Sequence, residues 1–270
     1  MKTNPRISIV TITFNSEKTL EETIKSVISQ DYDNLEYLII DGGSKDGTLS
    51  IIERYKEKIS VVVSEPDEGI SDAFNKGIRL ATGEIIGIIN SDDQLLPGAL
   101  RIVSSYYSPE LDVYRGEYIY HNSHTGYSYP SGAPAMICVP SKYIGMNVCH
   151  PSTFVTKRAY NKCGGYKVYL RYIMDIDMLF RLYAANCVFI HIPHNLAIFN
   201  TGGTTDDSFY KKVKERYLVI RENGGSFFLG CYVSSLCMVK DIIKRIIDVL
   251  FGENFKYKLL RRKGKIAKHN

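Results

Sequence analysis

The chain predicts an α/β fold built on a doubly wound, mostly parallel sheet. Three observations carry this. The first hundred residues alternate short apolar runs with segments of helical periodicity, the pattern of strands joined by right-handed helical crossovers. The run Ile85-Ile86-Gly87-Ile88-Ile89 is apolar or small throughout, as strands buried on both faces are. It leads directly into Asn90-Ser91-Asp92-Asp93, and open α/β sheets bind their ligands beyond the carboxyl ends of such strands.

The elements follow in order. Ile7–Thr13 reads as a strand. Residues 16–30 read as a helix capped by Ser16, with Leu20, Ile24, Val27 and Ile28 at helical spacing. Residues 35–40 form a second strand, and 46–56 a helix carrying Leu49, Ile52 and Tyr55 on one side. Residues 60–64 are a short strand, 71–80 a helix stopped by Gly83, and 85–89 the next strand. Residues 98–108 suggest one more helix. Residues 112–145 are rich in Tyr, Ser, Gly and Pro, with short strands near 113–120 and 127–129, and suit a variable, substrate-facing region. A helix is expected at 175–185, a strand at 188–192, a polar loop at 200–208 and a helix at 209–223. Residues 227–239 carry no charge but are too few to span a bilayer, which needs ~20 apolar residues. A core or docking helix is the plain reading. Beyond it, Ile242, Ile243, Ile246, Ile247 and Leu250 form one apolar stripe.

Composition narrows the function. With 44% hydrophobic residues in 270, the chain can bury one large core and an appendage. The net charge is +5, but residues 240–270 hold ten Lys or Arg against three acidic residues, a balance of +7 that leaves the other 239 residues at −2. The basicity belongs to the tail, so a nucleic-acid-binding core is excluded. No hydrophobic signal segment opens the chain, and the six cysteines show no C-x-x-C spacing, so a reducing cytosol is expected. The pairs His121/His124 and His191/His194 lie among Ser, Gly and Pro, which favours ordinary loop histidines over zinc ligands.

The chemistry concentrates at strand ends. Asp92 and Asp93 would repel unless a cation lay between them. A divalent metal there could stabilise a phosphate leaving group; an Asp-rich turn before a helix is the plainer alternative. No Gly-rich phosphate loop follows the first strand, which ends Thr13-Phe14-Asn15-Ser16, so the dinucleotide fingerprint and the P-loop are absent. The missing Gly/Arg-rich loop also disfavours a nucleotidyltransferase. Asp41 ends the second strand, where a carboxylate can accept from a base N–H or a ribose hydroxyl, or simply close an Asx-turn.

These motifs together resemble family 2 glycosyltransferases with the GT-A fold. The resemblance rests on residues 8–15, on Asp41-Gly42-Gly43-Ser44-x-Asp46-Gly47-Thr48, and on Asn75-x-Gly77 with Ala81-x-Gly83-Glu84. It extends through Asn90-Ser91-Asp92-Asp93, His150-Pro151-Ser152-Thr153-Phe154, Gly164-Gly165-Tyr166 and Asp175-Ile176-Asp177. Residues 65–77 look like the subgroup that builds bacterial O-antigen and capsule repeats. The resemblance implies a Rossmann-like, nucleotide-sugar-binding mixed sheet over residues 1–205 and a helical, basic C-terminal region over 206–270. It implies an inverting, metal-dependent hexosyl- or N-acetylhexosaminyl-transferase using Mn²⁺ or Mg²⁺ and, as donor, a UDP-sugar. The acceptor it implies is a glycan or lipid-linked oligosaccharide, reached from the cytoplasmic side of the membrane. A non-catalytic scaffold is the rival reading.

Roles carry over residue by residue. Asp41 would read the nucleobase, with Thr11, Thr13 and Asn15 lining its pocket. Asp67, Asn75 and Lys76 would also face the nucleotide sugar. Asp92 and Asp93 match the DxD-type site, Asp93 as metal ligand and Asp92 toward ribose or metal, although Asn90 replaces its first carboxylate. Asp175 matches the catalytic base, with Met174 where the family often has Glu. His150 and Asp177 fall in the acceptor and donor-sugar region, and Asp177 is a rival base. The two carboxylates differ by about 200° around a helix, so only one can face a cleft. The +7 tail could meet an anionic membrane surface, and the apolar stripe could instead form a homodimer seam.

Overall fold

The computed structural model describes residues 4–123, 126–131, 149–201, 209–251 and 267–268. Four parallel strands form its centre: β1 (Ile7–Thr13), β2 (Leu35–Asp41), β3 (Val61–Ser64) and β4 (Ile85–Asn90). They lie side by side as β4-β1-β2-β3, with Thr13 beside Asp41 and Asp41 beside Ser64. Their crossovers carry α1 (Leu20–Ile28), α2 (Thr48–Arg54) and α3 (Ile70–Leu80), and β5 (Gln94–Leu95) and α4 (Ala99–Ser105) follow.

The sheet then becomes mixed. β6 (Val113–Asn122) and β7 (Tyr127–Pro130) form a hairpin, and β8 (Thr153–Thr156) runs antiparallel between β6 and β4. After α5 (Lys157–Cys163) and α6 (Met174–Ala184), the long β9 (Phe189–Thr201) pairs parallel with β6 and antiparallel with β5. Helices α7 (Phe209–Glu222) and α8 (Phe227–Phe251) follow, and a short β10 (Ala267–Lys268) pairs with β7.

Two apolar layers sandwich the sheet, which is why its central strands are apolar on both faces. One layer joins Ile7, Ile9 and Ile39 to Leu20 and Ile24 of α1 and Leu100 of α4. The other joins Val10, Leu38 and Ile86 to Phe74 of α3 and Leu179 of α6, and it includes Val219, Ile220 and Val233 of α7 and α8. The C-terminal helices thus share the main core. They also reach the start of α6: the Glu215 carboxylate accepts from the N–H groups of Arg171 and Tyr172 at 3.0 and 2.9 Å. An anion there complements the positive end of the helix.

Several expectations change. α1 starts at Leu20, not at Ser16, because the Ser16 hydroxyl meets the Ser91 hydroxyl at 2.7 Å and ties β1 to the turn after β4. β9 continues through Thr201, nine residues further than its apolar start suggests, and takes in Asn200, expected in a loop. β5, β8 and α5 carried no clear periodicity in sequence. The uncharged segment and the apolar stripe are one helix, α8. Among the described residues no helix is long and apolar enough to cross a membrane. Residues 132–145 of the variable region, 202–208 of the polar loop, most of the basic run, His124 and Cys138 lie outside the described residues.

Candidate functional site

Asp92 and Asp93 sit in the turn that closes β4. Asp93 is fully buried, and its backbone carbonyl accepts from the Thr23 hydroxyl at 2.7 Å. Its Oδ1 accepts from the Asn200 N–H at 2.9 Å, while the Asn200 side-chain amide donates to the Asp92 carbonyl. Asn200 therefore fixes the turn from 107 positions away. Sequence reasoning missed it, because nothing local marks the far end of β9 as a partner of β4. Asp93 Oδ2 and Asn90 Oδ1 are buried with no hydrogen-bond partner. Burial raises both carboxyls, Asp93 further because Asp92 is its neighbour. An orphaned carboxylate oxygen, an orphaned amide oxygen and a second carboxylate are hard oxygen donors, and they fit a divalent cation whose remaining ligands come from phosphates and water. Among the described residues no group of three or more His, Cys, Asp or Glu converges on one metal position.

His150 lies in a 3-10 turn just before β8, packed against the Phe74 ring at 5.4 Å. Its Nδ1 is 3.0 Å from Oδ2 of Asp175, in the first turn of α6. Burial works against the imidazolium, but the charges of Asp175, Asp93 and Asp92 outweigh it and raise the His150 pKa. One buried imidazole thus feels all three carboxylates. His150 Nε2 and Asp175 Oδ1 are buried without partners, and a cavity of about 20 Å³, room for one water, lies between them and Ile88, Val155, Met178 and Leu182.

The remaining expectations divide. Thr13 is buried with its hydroxyl unpartnered, beside Asp41 at the end of β1. Asn15 is exposed with a left-handed φ of 49°, and its Oδ1 accepts from the Lys45 N–H. Asp67 stays partly exposed. Its Oδ1 accepts from the Gly69 N–H, and its Oδ2 lies 2.4 Å from where a Cβ on Gly42 would stand.

Four others are turned into the fold, where their hydrogen bonds are made to the protein itself. Thr11 is fully buried, with its hydroxyl on Tyr37 at 3.0 Å. Asp41 is 1% exposed and accepts from the Gly43 and Ser44 N–H groups and from the Ser44 and Ser64 hydroxyls. It closes the Asx-turn that shapes the loop. Asn75 exchanges two hydrogen bonds with the Tyr166 backbone, at 2.8 and 2.7 Å, and so ties α3 to the Gly164-Gly165 loop. Asp177 is fully buried between Lys167 and Arg181, both at 2.8 Å, and takes a third bond from Asn223. Burial alone would raise its carboxyl, but these partners hold it below the usual range. Lys76 donates to the Pro66 carbonyl and pairs with Glu65 and Asp72, so it clamps the segment bearing Asp67 onto α3. His191 and His194 are exposed along β9, as ordinary surface histidines are.

Comparison with known proteins gives a family and a fold. The model for "Glycosyl transferase family 2" matches residues 8–165. Chondroitin synthase of Escherichia coli is 28% identical over 194 residues, 67% of this chain and 27% of its own length. The chain likewise spans 36% of two relatives from Mycobacterium tuberculosis. Among solved structures, S. aureus TarS 1-349 in complex with UDP-GlcNAc superposes with a TM-score of 0.63 at 17% identity, covering 94% of this chain and 76% of the TarS 1-349 chain. The mannosyltransferase PcManGT of Pyrobaculum calidifontis, in complex with GDP-Man and Mn²⁺, gives 0.64 at 18% identity, covering 87% and 70%. The mixed sheet flanked by helices is the GT-A-like architecture of these glycosyltransferases.

Proposed function

The chain belongs to glycosyl transferase family 2, and from that premise we propose that it transfers one sugar from a UDP-sugar to a hydroxyl of a glycan acceptor with inversion. The observation that carries this is the 3.0 Å contact of Asp175 with the His150 imidazole, a ring on which the charges of Asp92 and Asp93 also act. It supports a base and a diphosphate site facing each other across a donor sugar.

In this reading residues 1–205 are the catalytic unit and 206–270 its helical extension. The donor's diphosphate lies at the end of β4, where Asp93 and Asp92 would hold Mn²⁺ or Mg²⁺. When bound, that ion neutralises the charge of the departing diphosphate. Asp175 accepts the proton of the acceptor hydroxyl. The hydroxyl oxygen attacks C1 from the opposite face, the C1–O bond to phosphate breaks, and its electron pair leaves with the nucleoside diphosphate. One displacement gives one inversion. His150 orients the base through Nδ1. Asp41, the nucleobase contact that the motif implies, is joined in that pocket by Asp67, whose Oδ2 lies against Gly42 at the loop surface.

The acceptor is a lipid-linked oligosaccharide of a cell-surface polysaccharide such as O-antigen or capsule, met at the cytoplasmic face of the membrane. The polysaccharide relative and the free thiols of Cys149, Cys163 and Cys187 support this placement. A panel of nucleotide sugars, scored by release of UDP or GDP with and without Mn²⁺, tests the reading. Release of UDP from one or two UDP-sugars is expected; release from none of the panel refutes it.

A further inference from the structure

Helix α8 presents an apolar face that is exposed among the described residues. Phe228, Tyr232, Val239, Ile242, Ile246 and Val249 share one side of the helix, within an arc of roughly 100° at 3.6 residues per turn. All six are exposed, Phe228 by 82% and Val249 by 84%. The stripe runs nearly the whole of the 25-residue helix, about 38 Å at 1.5 Å per residue.

The opposite side changes character along the helix. In the first half it packs on the protein: Val233 and Ser234 are buried, and a Cβ on Gly230 would come within 2.9 Å of the Tyr217 ring. In the second half the corresponding helical positions are 240, 241, 244, 245 and 248, occupied in sequence by Lys, Asp, Lys, Arg and Asp. Only Ile247 and Phe251 interrupt these charges on that side, and a side that packed on protein would not be charged at most of its positions. The apolar stripe opposite continues unchanged.

We propose that α8 lies flat on an anionic phospholipid surface, with this stripe among the acyl chains and the basic residues of 240–270 among the headgroups. A long helix with an apolar face, a charged face and too little hydrophobicity to span is the interfacial type. The charge fits: the sequence from 240 onward has a balance of +7, which anionic headgroups attract. The inference rests on the membrane-side acceptor proposed above, since it brings the site to the surface that holds such an acceptor.

Flotation of the full chain with phosphatidylglycerol–phosphatidylcholine vesicles tests it. The variant carries Ile242→Glu, Ile246→Glu and Val249→Glu together, three exposed positions away from the site. The wild-type chain is expected to float at low salt and to be released at high salt. The variant is expected to stay at the bottom of the gradient, with unchanged circular dichroism and unchanged nucleotide release from the donor in solution. Failure of the wild type to float, or equal flotation of the variant, overturns the proposal. So does a wild-type dimer that the variant converts to a monomer by light scattering, which would make the stripe a seam between copies. Nucleotide release read on the same samples reports on the transferase reading alone, so failure of one is distinguishable from failure of the other.

Discussion

The His150 imidazole and the Asp175 carboxylate meet at 3.0 Å, joining the turn before β8 to the first turn of α6. Asp175 Oδ1 has no partner, so His150 alone fixes the carboxylate's rotation among the side-chain contacts described for it. His150→Ala is expected to lower kcat on the order of a hundredfold, the cost of a misplaced reacting group, and to leave the donor's dissociation constant within twofold. Steady-state kinetics with calorimetry of donor binding checks the split. A weakened donor with kcat intact would assign His150 to binding.

Asp93 is expected to carry the metal requirement. Its unpartnered Oδ2 is the buried oxygen that a cation would satisfy. Asp93→Ala should abolish transfer, and EDTA should do the same to the wild type, with recovery on adding Mn²⁺ or Mg²⁺. Full turnover in EDTA sinks this assignment.

Gly42 and Asp67 form a pair that affinity measurements can read. Because a Cβ at 42 would meet Asp67 Oδ2 at 2.4 Å, Gly42→Ala must push that carboxylate aside. Both Gly42→Ala and Asp67→Ala are expected to weaken UDP binding about tenfold, the loss of one charge-assisted hydrogen bond. Equal affinity in calorimetry would remove Asp67 from the nucleobase pocket.

Asp177 is expected to act on stability. Asp177→Asn leaves Lys167 and Arg181 without their buried carboxylate, a loss of about 3–5 kcal/mol. The sign of the pH dependence follows from a carboxyl held below its ordinary value in the fold. Its stabilisation is fully present above about pH 4, the unfolded value, and fades as pH falls through the lower folded one. Denaturant melts should show the variant less stable at neutral pH and the gap closing in acid. A constant gap across that range contradicts the assignment.

The parallel half of the fold was legible because its strands are apolar on both faces and its helices amphipathic. The strand-end carboxylates Asp92 and Asp93 were legible for the same reason: a continuous apolar run ends where they begin. What sequence could not separate was the outward from the inward carboxylate. Asp41, Asp175 and Asp177 share a residue type and each lies in a motif, yet Asp41 closes a turn and Asp177 anchors α6, through donors that come from distant segments such as Ser64 and Asn223. Asn200 was hidden likewise, because its partners are 107 and 108 positions away.

The central claim, that Asp175 removes the acceptor proton, is tested most directly by comparing turnover of Asp175→Asn with that of the wild type at saturating donor and acceptor. Asn keeps the size and loses the basicity. The account predicts a kcat lower by ~10²–10⁴, donor affinity unchanged, and an Asp177→Asn enzyme that, where still folded, turns over normally. An active Asp175→Asn enzyme beside a folded but inactive Asp177→Asn one would contradict it.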